Sequence, residues 1–315
     1  MCYWADIEFQ FPASGPSLPA TSGDWKHGAM AENELRSGGV FRARVPTKTD
    51  SRHPRAMNNP LPRKPTAADL RVLSRMLRKR LLPPRRMRQT KQYAYDVAGV
   101  KLAVFDFAES MASEIDYFEL RNDEYGLEAI GFEPGDTVVD IGGNIGFVAG
   151  YIASRHPGVR VLSFEPFPDN HEHFGRLVET NGVKNVTLHP LGVTADGREL
   201  TMTMNPHNSG GATANVANPE LPGHSIRTVS STTLDDIFAR YDVKSCKLLK
   251  IDCEGSEHEI LKSTSVLDRV SNISGEFHIN QRLESEGHSM EELVRLCESF
   301  VGPDHVRVKL CRMAE

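Results

Sequence analysis

From Tyr93 onward the apolar positions follow two periods, and the switching between them predicts the elements. Apolar and polar residues alternate over Tyr93–Val97 and Lys101–Phe107 around Ala98-Gly99, which is a hairpin pattern. A helical stretch through Tyr125–Ile130 leads to Pro134-Gly135-Asp136, a turn that delivers a strand over Thr137–Ile141. Strands and helices then alternate: Arg160–Phe164, helix 168–181, Asn185–His189, helix 233–241, Lys247–Ile251, helix 256–263, Val270–Phe277, helix 289–300 and His305–Leu310. This order predicts an α/β fold, a doubly wound and mostly parallel sheet with helices on both faces. Residues 196–231 interrupt it with short strand patterns at Glu199–Met204 and Ser225–Val229 among Gly- and Asn-rich loops. That insert is expected at a sheet end, where it would help shape a substrate pocket.

The chain upstream reads differently. Residues 1–66 contain Pro12, Pro16, Pro19, Pro46, Pro54, Pro60, Pro62 and Pro65 and little periodicity, so they read as a flexible Pro/Gly/Arg-rich arm. In 67–82, Leu70, Leu73, Leu77 and Leu81 recur at helical spacing, interleaved with Arg71, Arg75, Arg78, Lys79 and Arg80; Arg85, Arg86, Arg88 and Lys91 prolong the basic run. Residues 67–92 are therefore a basic amphipathic helix and linker. Such a helix fits a membrane surface, nucleic acid or a partner, and equally a helix packed on an acidic domain with its arginines in solvent. Residues 93–315 form the α/β domain.

Composition sharpens this division. The net charge of -5 over 315 residues conceals 18 Lys and Arg against 7 Asp and Glu in residues 1–92, and 19 against 35 in the remainder. Five cysteines (Cys2, Cys246, Cys253, Cys297, Cys311) form no CxxC pair, so neither a disulfide framework nor a zinc site is indicated. Cys246 and Cys253 flank an apolar strand and read as small core residues. The apolar runs fall far short of the ~18 residues of a membrane span. The N-terminus lacks the basic-then-apolar order of a signal peptide. A reducing cytoplasm is the expected location.

Candidate chemistry gathers at three strand ends. Val138-Val139-Asp140-Ile141-Gly142-Gly143-Asn144-Ile145-Gly146-Phe147 is a buried strand, a carboxylate, a glycine turn and a helix start, where nucleotide-like ligands bind in open α/β sheets. A dinucleotide site wants Gly-x-Gly-x-x-Gly; Gly143 and Gly146 fill its second and third positions, but the first falls on Ile141. Asp140 also opposes a phosphate by like charge, so a ligand with cationic groups and a ribose fits better. S-adenosylmethionine has a sulfonium, an ammonium and no phosphate. Next, Arg160–Phe164 runs into Glu165-Pro166-Phe167, with Glu165 placed to accept hydrogen bonds from both ribose hydroxyls and Pro166 and Phe167 near an adenine. An acid that merely opens the helix at Pro168-Asp169 is the plainer alternative. Third, Lys250, Asp252, Glu254 and Glu257 crowd the end of an apolar strand. Helix-dipole matching accounts for Glu257 and Glu259 but poorly for Lys250 and Asp252, which precede the glycine turn.

Asp140–Gly146, Phe164–Pro166, Thr233-Leu234-Asp235-Asp236 and Leu249-Lys250-Ile251-Asp252-Cys253-Glu254-Gly255-Ser256-Glu257 occur in an order and spacing that resemble the FkbM family of S-adenosylmethionine-dependent methyltransferases, over roughly residues 93–315. The resemblance implies a Rossmann-like class I methyltransferase, many of which methylate hydroxyls of natural products or sugars. Under it, Asp140, Gly142, Gly143, Asn144, Gly146, Glu165, Pro166, Phe167 and Gly192 bind S-adenosylmethionine, and Lys250, Asp252 and Glu254 face the methyl group. Gly143 stands where the family usually has Ala. The family fold normally closes with an antiparallel strand pair, whereas His305–Leu310 is the last strand pattern here. The edge beside the fifth strand is then expected to be open, or covered by the arm or by a second subunit in a homodimer.

Methyl transfer from a sulfonium is a direct displacement, helped by alignment and by a general base. His278, ending the strand next to that of Asp252, is the first choice of base and Asp252 the second; His258, His207 and His224 are weaker candidates. A solvent-facing histidine is the alternative reading of His278. Asp252, Glu254 and Glu276 offer oxygen ligands for Mg²⁺, though their spacing does not demand a metal. Two rival functions remain: nucleic-acid methylation through the basic arm, against which Asp252-Cys253-Glu254-Gly255 lacks the Pro-Pro motif of amino-methylating DNA enzymes, and a non-catalytic S-adenosylmethionine binder.

Overall fold

A computed structural model describes residues 65–80, 89–205, 208–214 and 224–313. The arm of residues 1–64, Leu81, the basic run 85–88 and His207 lie outside the described residues. A helix over Ala67–Arg80 leads into the hairpin β1 (Thr90–Val97) and β2 (Val100–Phe107). Its two turn residues, Ala98 and Gly99, both have positive φ, the twist that suits a two-residue hairpin.

The central sheet contains β3 (Thr137–Ile141), β4 (Arg160–Phe164), β5 (Val186–His189), β11 (Leu248–Ile251), β12 (Ile273–Ile279) and β13 (Val306–Arg312), all parallel, in the order β13-β12-β11-β3-β4-β5. Helices Phe147–Arg155, Pro168–Thr180, Leu234–Arg240, Glu257–Ser263 and Met290–Val301 make the crossovers. The strands are apolar runs because both faces are covered. Val139, Leu162, Leu249, Ile273 and Phe277 are fully buried, each stabilising by about 1.5–3 kcal/mol. Between β5 and helix Leu234–Arg240 come β6 (Gly192–Val193) and β10 (Ser231–Thr232), which pair with each other, and β7 (Leu200–Asn205), β8 (Asn208–Thr213) and β9 (Ser225–Val229), which form an antiparallel sheet in the order β8-β7-β9.

The expected α/β alternation is present, with three corrections. The helical stretch expected through Tyr125–Ile130 is only a short 3-10 turn, Leu127–Ala129; the helix lies earlier, at Ala112–Arg121. Gly126, with φ +68, sits where α-helix cannot continue. The fifth strand has no open edge: β13 pairs with β12 along its whole length in parallel, from Ile273↔Val306 to Ile279↔Arg312. The insert also contains β8, an Asn-Ser-Gly-Gly-Ala-Thr strand that reads as loop from its glycines. Among the described residues no helix is long and apolar enough to cross a membrane.

The helix Ala67–Arg80 docks by a different face from that marked by its leucines. Leu70 and Leu77 are 52% and 45% exposed, while Asp69, Val72, Met76 and Lys79 are buried. Ion pairing selects this face. Thr66 and Asp69 cap the helix start reciprocally, and Asp69 also accepts from Tyr117 Oη (2.9 Å) and pairs with Arg121. Lys79 Nζ donates to both oxygens of the fully buried Glu114 (2.9 and 2.8 Å) and to the Ser110 carbonyl, while Arg75 donates to Glu114 and to Tyr95 Oη. A buried carboxylate tolerates loss of its partner badly. Lys79→Ala is expected to cost about 3 kcal/mol, the low end of the usual range because Arg75 still reaches Glu114. Lys79→Met combined with Glu114→Leu should cost much less. Urea denaturation of the three chains checks this, and equal losses would remove the ion pair from the account.

Candidate active site

The strand order reverses between β3 and β11, and the crevice at the C-terminal ends of these strands is where ligands enter such sheets. Behind β3 the chain turns through Gly142 (φ +80), Asn144 (φ +49) and Gly146 (φ +83) before helix Phe147–Arg155. Side chains are excluded there for identifiable reasons. A Cβ on Gly142 would run into the Asp252 carbonyl, and one on Gly146 into the Phe174 ring. The loop is pinned from below: Lys250 Nζ donates to the Gly142 carbonyl at 2.6 Å and pairs with Asp140 Oδ1 at 3.2 Å, while Ser163 Oγ donates to Asp140 Oδ2 at 2.5 Å. Lys250 and Asp140 are both buried. Burial opposes the Lys250 charge, but Asp140, Asp252 and Asp116 more than offset it, so its pKa is raised. Lys250 therefore lies under the loop with its ammonium engaged, and Asp140 turns to Lys250.

Glu165 stands at the end of β4, 4% exposed, its two oxygens accepting from the backbone N–H groups of Asn144 and Phe167, both at 2.8 Å. Burial raises its pKa to about 7 against the pull of those two donors. Pro166 is partly exposed, whereas Phe167 is fully buried among Phe107, Leu200 and Met202 in the core of the insert. Gly192 packs beside Leu200, Ser231 and Pro166. Strand β8 crosses the mouth of the crevice. Gly210 lies against the Asn144 amide and Gly211 near Glu254, and Thr213 Oγ1 donates to the Glu254 carbonyl at 2.7 Å. The Oδ1 of Asn144 is buried without a hydrogen-bond partner.

Beyond β11 the chain forms an acidic pit. Asp252 and Glu254 follow the strand, with Glu254 at φ +53, a left-handed conformation that non-glycine residues adopt at a cost. Glu257 is fully buried; its carboxylate accepts from the N–H groups of Cys253 and Gly255, both at 2.9 Å, and faces His278 Nδ1 at 3.1 Å. His278 and Glu276 come from β12; the His278 Nε2 is 3.6 Å from Glu254 and 3.5 Å from Glu276. Lys309 of β13 pairs with Glu276 (2.6 Å) and with Glu119 (3.2 Å). Burial raises Asp252 to about 6 and Glu254 to about 7, and raises Asp116 and Glu119 well above the usual carboxylate range. Burial also works against a charged His278, yet Glu254 and Glu257 hold its pKa well above 6.5. A ring held protonated has no lone pair for an acceptor's proton, and at 2% exposure it does not face solvent.

The structure thus brings Asp252, Glu254 and His278 together in the pit, and keeps Lys250 under the glycine loop, where it touches the pit only through Asp252 at 3.9 Å. His258 is buried behind the pit, its Nε2 facing the His278 carbonyl, and His224 lies in the insert. Sequence reading grouped Glu276 with Asp252 and Glu254 but missed Asp116 and Glu119 as pit residues, and the helix Ala112–Arg121 that carries both. The four acids Glu109, Glu114, Asp116 and Glu119 crowded into one short stretch were the available signal.

A family model described as the methyltransferase FkbM domain matches residues 140–301, from the pinned aspartate to the last crossover helix. A Beauveria bassiana protein named Methyltransferase 1 is 30% identical over 146 residues, 41% of this chain and 59% of that protein. The 31-O-demethyl-FK506 methyltransferase FkbM of Streptomyces tacrolimicus is 31% identical over 193 residues, covering 51% of this chain and 73% of that protein. The hexuronic acid methyltransferase AglP of Haloferax volcanii is 27% identical over 178 residues, covering 52% and 67%. The match thus spans about three-fifths of the first of these proteins.

Because its φ is positive and its Cβ position is taken by the Asp252 carbonyl, Gly142→Ala should cost at least about 1–3 kcal/mol. Gly131→Ala, at a position with open space and no positive φ, is the control and should leave the melting temperature almost unchanged. Equal melting temperatures for the two variants would show that the loop is not tightly held against β11.

Proposed function

This chain belongs to the methyltransferase FkbM family, and we propose that it transfers a methyl group from S-adenosylmethionine to a hydroxyl group of a small molecule. The observation that carries the reading is the pairing, across the switch point, of a glycine loop followed by a buried carboxylate at the next strand end with an acidic pit beside it. The residues fit the cofactor. Asn144 Oδ1 is a buried acceptor in need of a donor, and Glu165 offers a second lone pair on each oxygen to a ribose diol. Gly142, Gly143, Asn144 and Gly146 would hold the methionine part, with Pro166 and Gly192 on the adenine side. Bound there, S-adenosylmethionine supplies an electrophilic methyl group. The relatives point toward hydroxyl acceptors, since one is named for the 31-O position of FK506 and another for hexuronic acid.

In this reading Asp140 and Lys250 position the loop, and His278 holds the pit carboxylates in place. Proton acceptance falls to Asp252, whose side chain is 23% exposed and whose nearest cation, Lys250, is 3.9 Å away. General base catalysis of this kind contributes ~10²–10⁴-fold. Phosphate-bearing acceptors are disfavoured, because the pit would repel them.

Four outcomes follow. Transfer of a radiolabelled methyl group from S-adenosylmethionine to a panel of sugars and polyketide alcohols should label at least one of them, with no detectable NADH binding; cofactor binding without labelling would leave only a binder. Glu165→Ala should weaken S-adenosylmethionine by about 1.5–3 kcal/mol, the value of hydrogen bonds to a charged group. Ribose hydroxyls donate best to an ionised carboxylate, so wild-type affinity should rise as pH rises through about 7, with proton uptake by the buffer, and Glu165→Gln should abolish that dependence. Asp252→Asn should slow turnover with little change in cofactor affinity. Calorimetry in two buffers and steady-state kinetics check these, and a pH-independent affinity in wild type would remove Glu165 from the ribose site.

A further inference from the structure

We propose that the outer face of helix Ala67–Arg80 docks on an anionic phospholipid bilayer, with Leu70 and Leu77 entering the headgroup region and Arg71 and Arg78 meeting lipid phosphates. The first argument is the order of side chains around the helix. Leu70 and Leu77 stand two turns apart on one face and are 52% and 45% exposed. Half-buried Leu73 lies between them. Arg71 and Arg78 repeat the same interval one residue on, and both are exposed. Among the described residues neither arginine has a hydrogen-bond or ion-pair partner. Asp69, the only acid of the helix, is buried and turned inward to Tyr117 and Arg121. Leucines beside arginines, with no acid among them, are the make-up of a helix that lies in a membrane interface.

The second argument is the surface around the helix. Its arginine side borders a groove of about 500 Å³, to which Arg71 contributes from the helix and exposed Lys101 from β2. Asp96 in the same groove is already engaged by the Gly99 N–H at 3.0 Å. In the sequence the basic run continues through Arg85, Arg86, Arg88 and Lys91. Residues 93–315, by contrast, carry 19 Lys and Arg against 35 Asp and Glu, so an anionic surface attracts the protein by this helix and repels the rest.

Other occupants fit less well. A symmetric contact between two copies would set Arg71 and Arg78 against the same residues of the other copy. A helix of 14 residues, about 21 Å long and about 10 Å wide, also offers only about 200 Å², far under the roughly 800 Å² per partner of a stable protein interface. A fluid bilayer needs no matched area. Nucleic acid would use the arginines and leave the leucines in water. The inference does not rest on the proposed methyl transfer.

The test is cosedimentation of the full chain with phosphatidylcholine vesicles, with or without phosphatidylserine. Binding is expected only with phosphatidylserine and should be lost at high salt. Arg71→Gln with Arg78→Gln should weaken it about 25-fold, from roughly five-fold for each cation at an anionic leaflet. Leu70→Gln with Leu77→Gln should weaken it about 10-fold or more, with both arginines in place. Melting temperatures should not move, since all four side chains are exposed. Where one does, Leu77→Trp read by quenching from brominated lipid decides instead, with wild type correcting for Trp4 and Trp25. Equal binding to neutral vesicles, full binding by the folded leucine variant, or no added quenching of Leu77→Trp would overturn the proposal. So would RNA binding with the same dependence on Leu70 and Leu77, or a dimer that these substitutions dissolve, because the face would then have another occupant.

Discussion

Lys250 carries its ammonium into the switch point of the sheet, where it meets the Gly142 carbonyl at 2.6 Å and Asp140 at 3.2 Å. Most of the site geometry depends on this contact. The carbonyl of a glycine in left-handed conformation needs a donor once buried, and an aspartate buried beside it needs a cation. One lysine, reaching from the adjacent strand in register with Asp140, satisfies both. The loop is thereby fixed against β11 closely enough that the Asp252 carbonyl occupies the place of a Gly142 side chain. Asn144 follows as a consequence, since its N–H can then reach Glu165 at 2.8 Å. Strands β3, β4 and β11 are locked together at their C-terminal ends by charges and backbone groups, while the apolar contacts lie deeper.

The acidic pit is assembled from elements that are far apart in the chain. Asp116 and Glu119 come from the helix after the hairpin, Asp252 and Glu254 from the turn after β11, Glu257 from the following helix, Glu276 from β12, and Lys309 from β13. Carboxylates gathered this way repel one another, and a buried carboxyl in such company is easier to protonate. The fold offsets the strain with two cations that have dedicated partners, Lys309 on Glu276 and His278 between Glu257 and its two neighbours. A pit with this balance welcomes positive charge, whether on a sulfonium or a proton.

The parallel sheet was legible because buried strands and amphipathic crossover helices have distinct periods, and β3, β4, β11 and their helices fall within a residue or three of the expected bounds. The glycine loop and Glu165 were legible because glycine in left-handed backbone and an acid at a strand end leave marks in the sequence. The unreadable parts are those decided by partners distant in sequence. Helix Ala112–Arg121 hides its acids inward, so its pattern is not amphipathic in the ordinary sense. Strand β8 is held by Ser209 to Ser110 and Asp106 and by Asn170, rather than by β-prone side chains. His278 could be placed at a strand end of the candidate site, but its charge state depends on Glu254 and Glu257, which come from the turn and helix after β11.

Charge counting shows the same limit. The basic surplus of residues 1–92 invites a nucleic-acid or membrane reading, because free lysines and arginines would supply the phosphate contacts. In the folded helix Ala67–Arg80, however, Arg75 and Lys79 turn toward Glu114, and Asp69 takes Arg121 in exchange. Arg71 and Arg78 remain exposed beside Leu70 and Leu77. The helix is therefore stapled to the domain by part of the charge that would otherwise have argued for a polyanionic partner, and its apolar stripe points outward because the ion pairs leave it no place within. Any partner of this face must meet leucines and arginines together, which a bare phosphate backbone does not require.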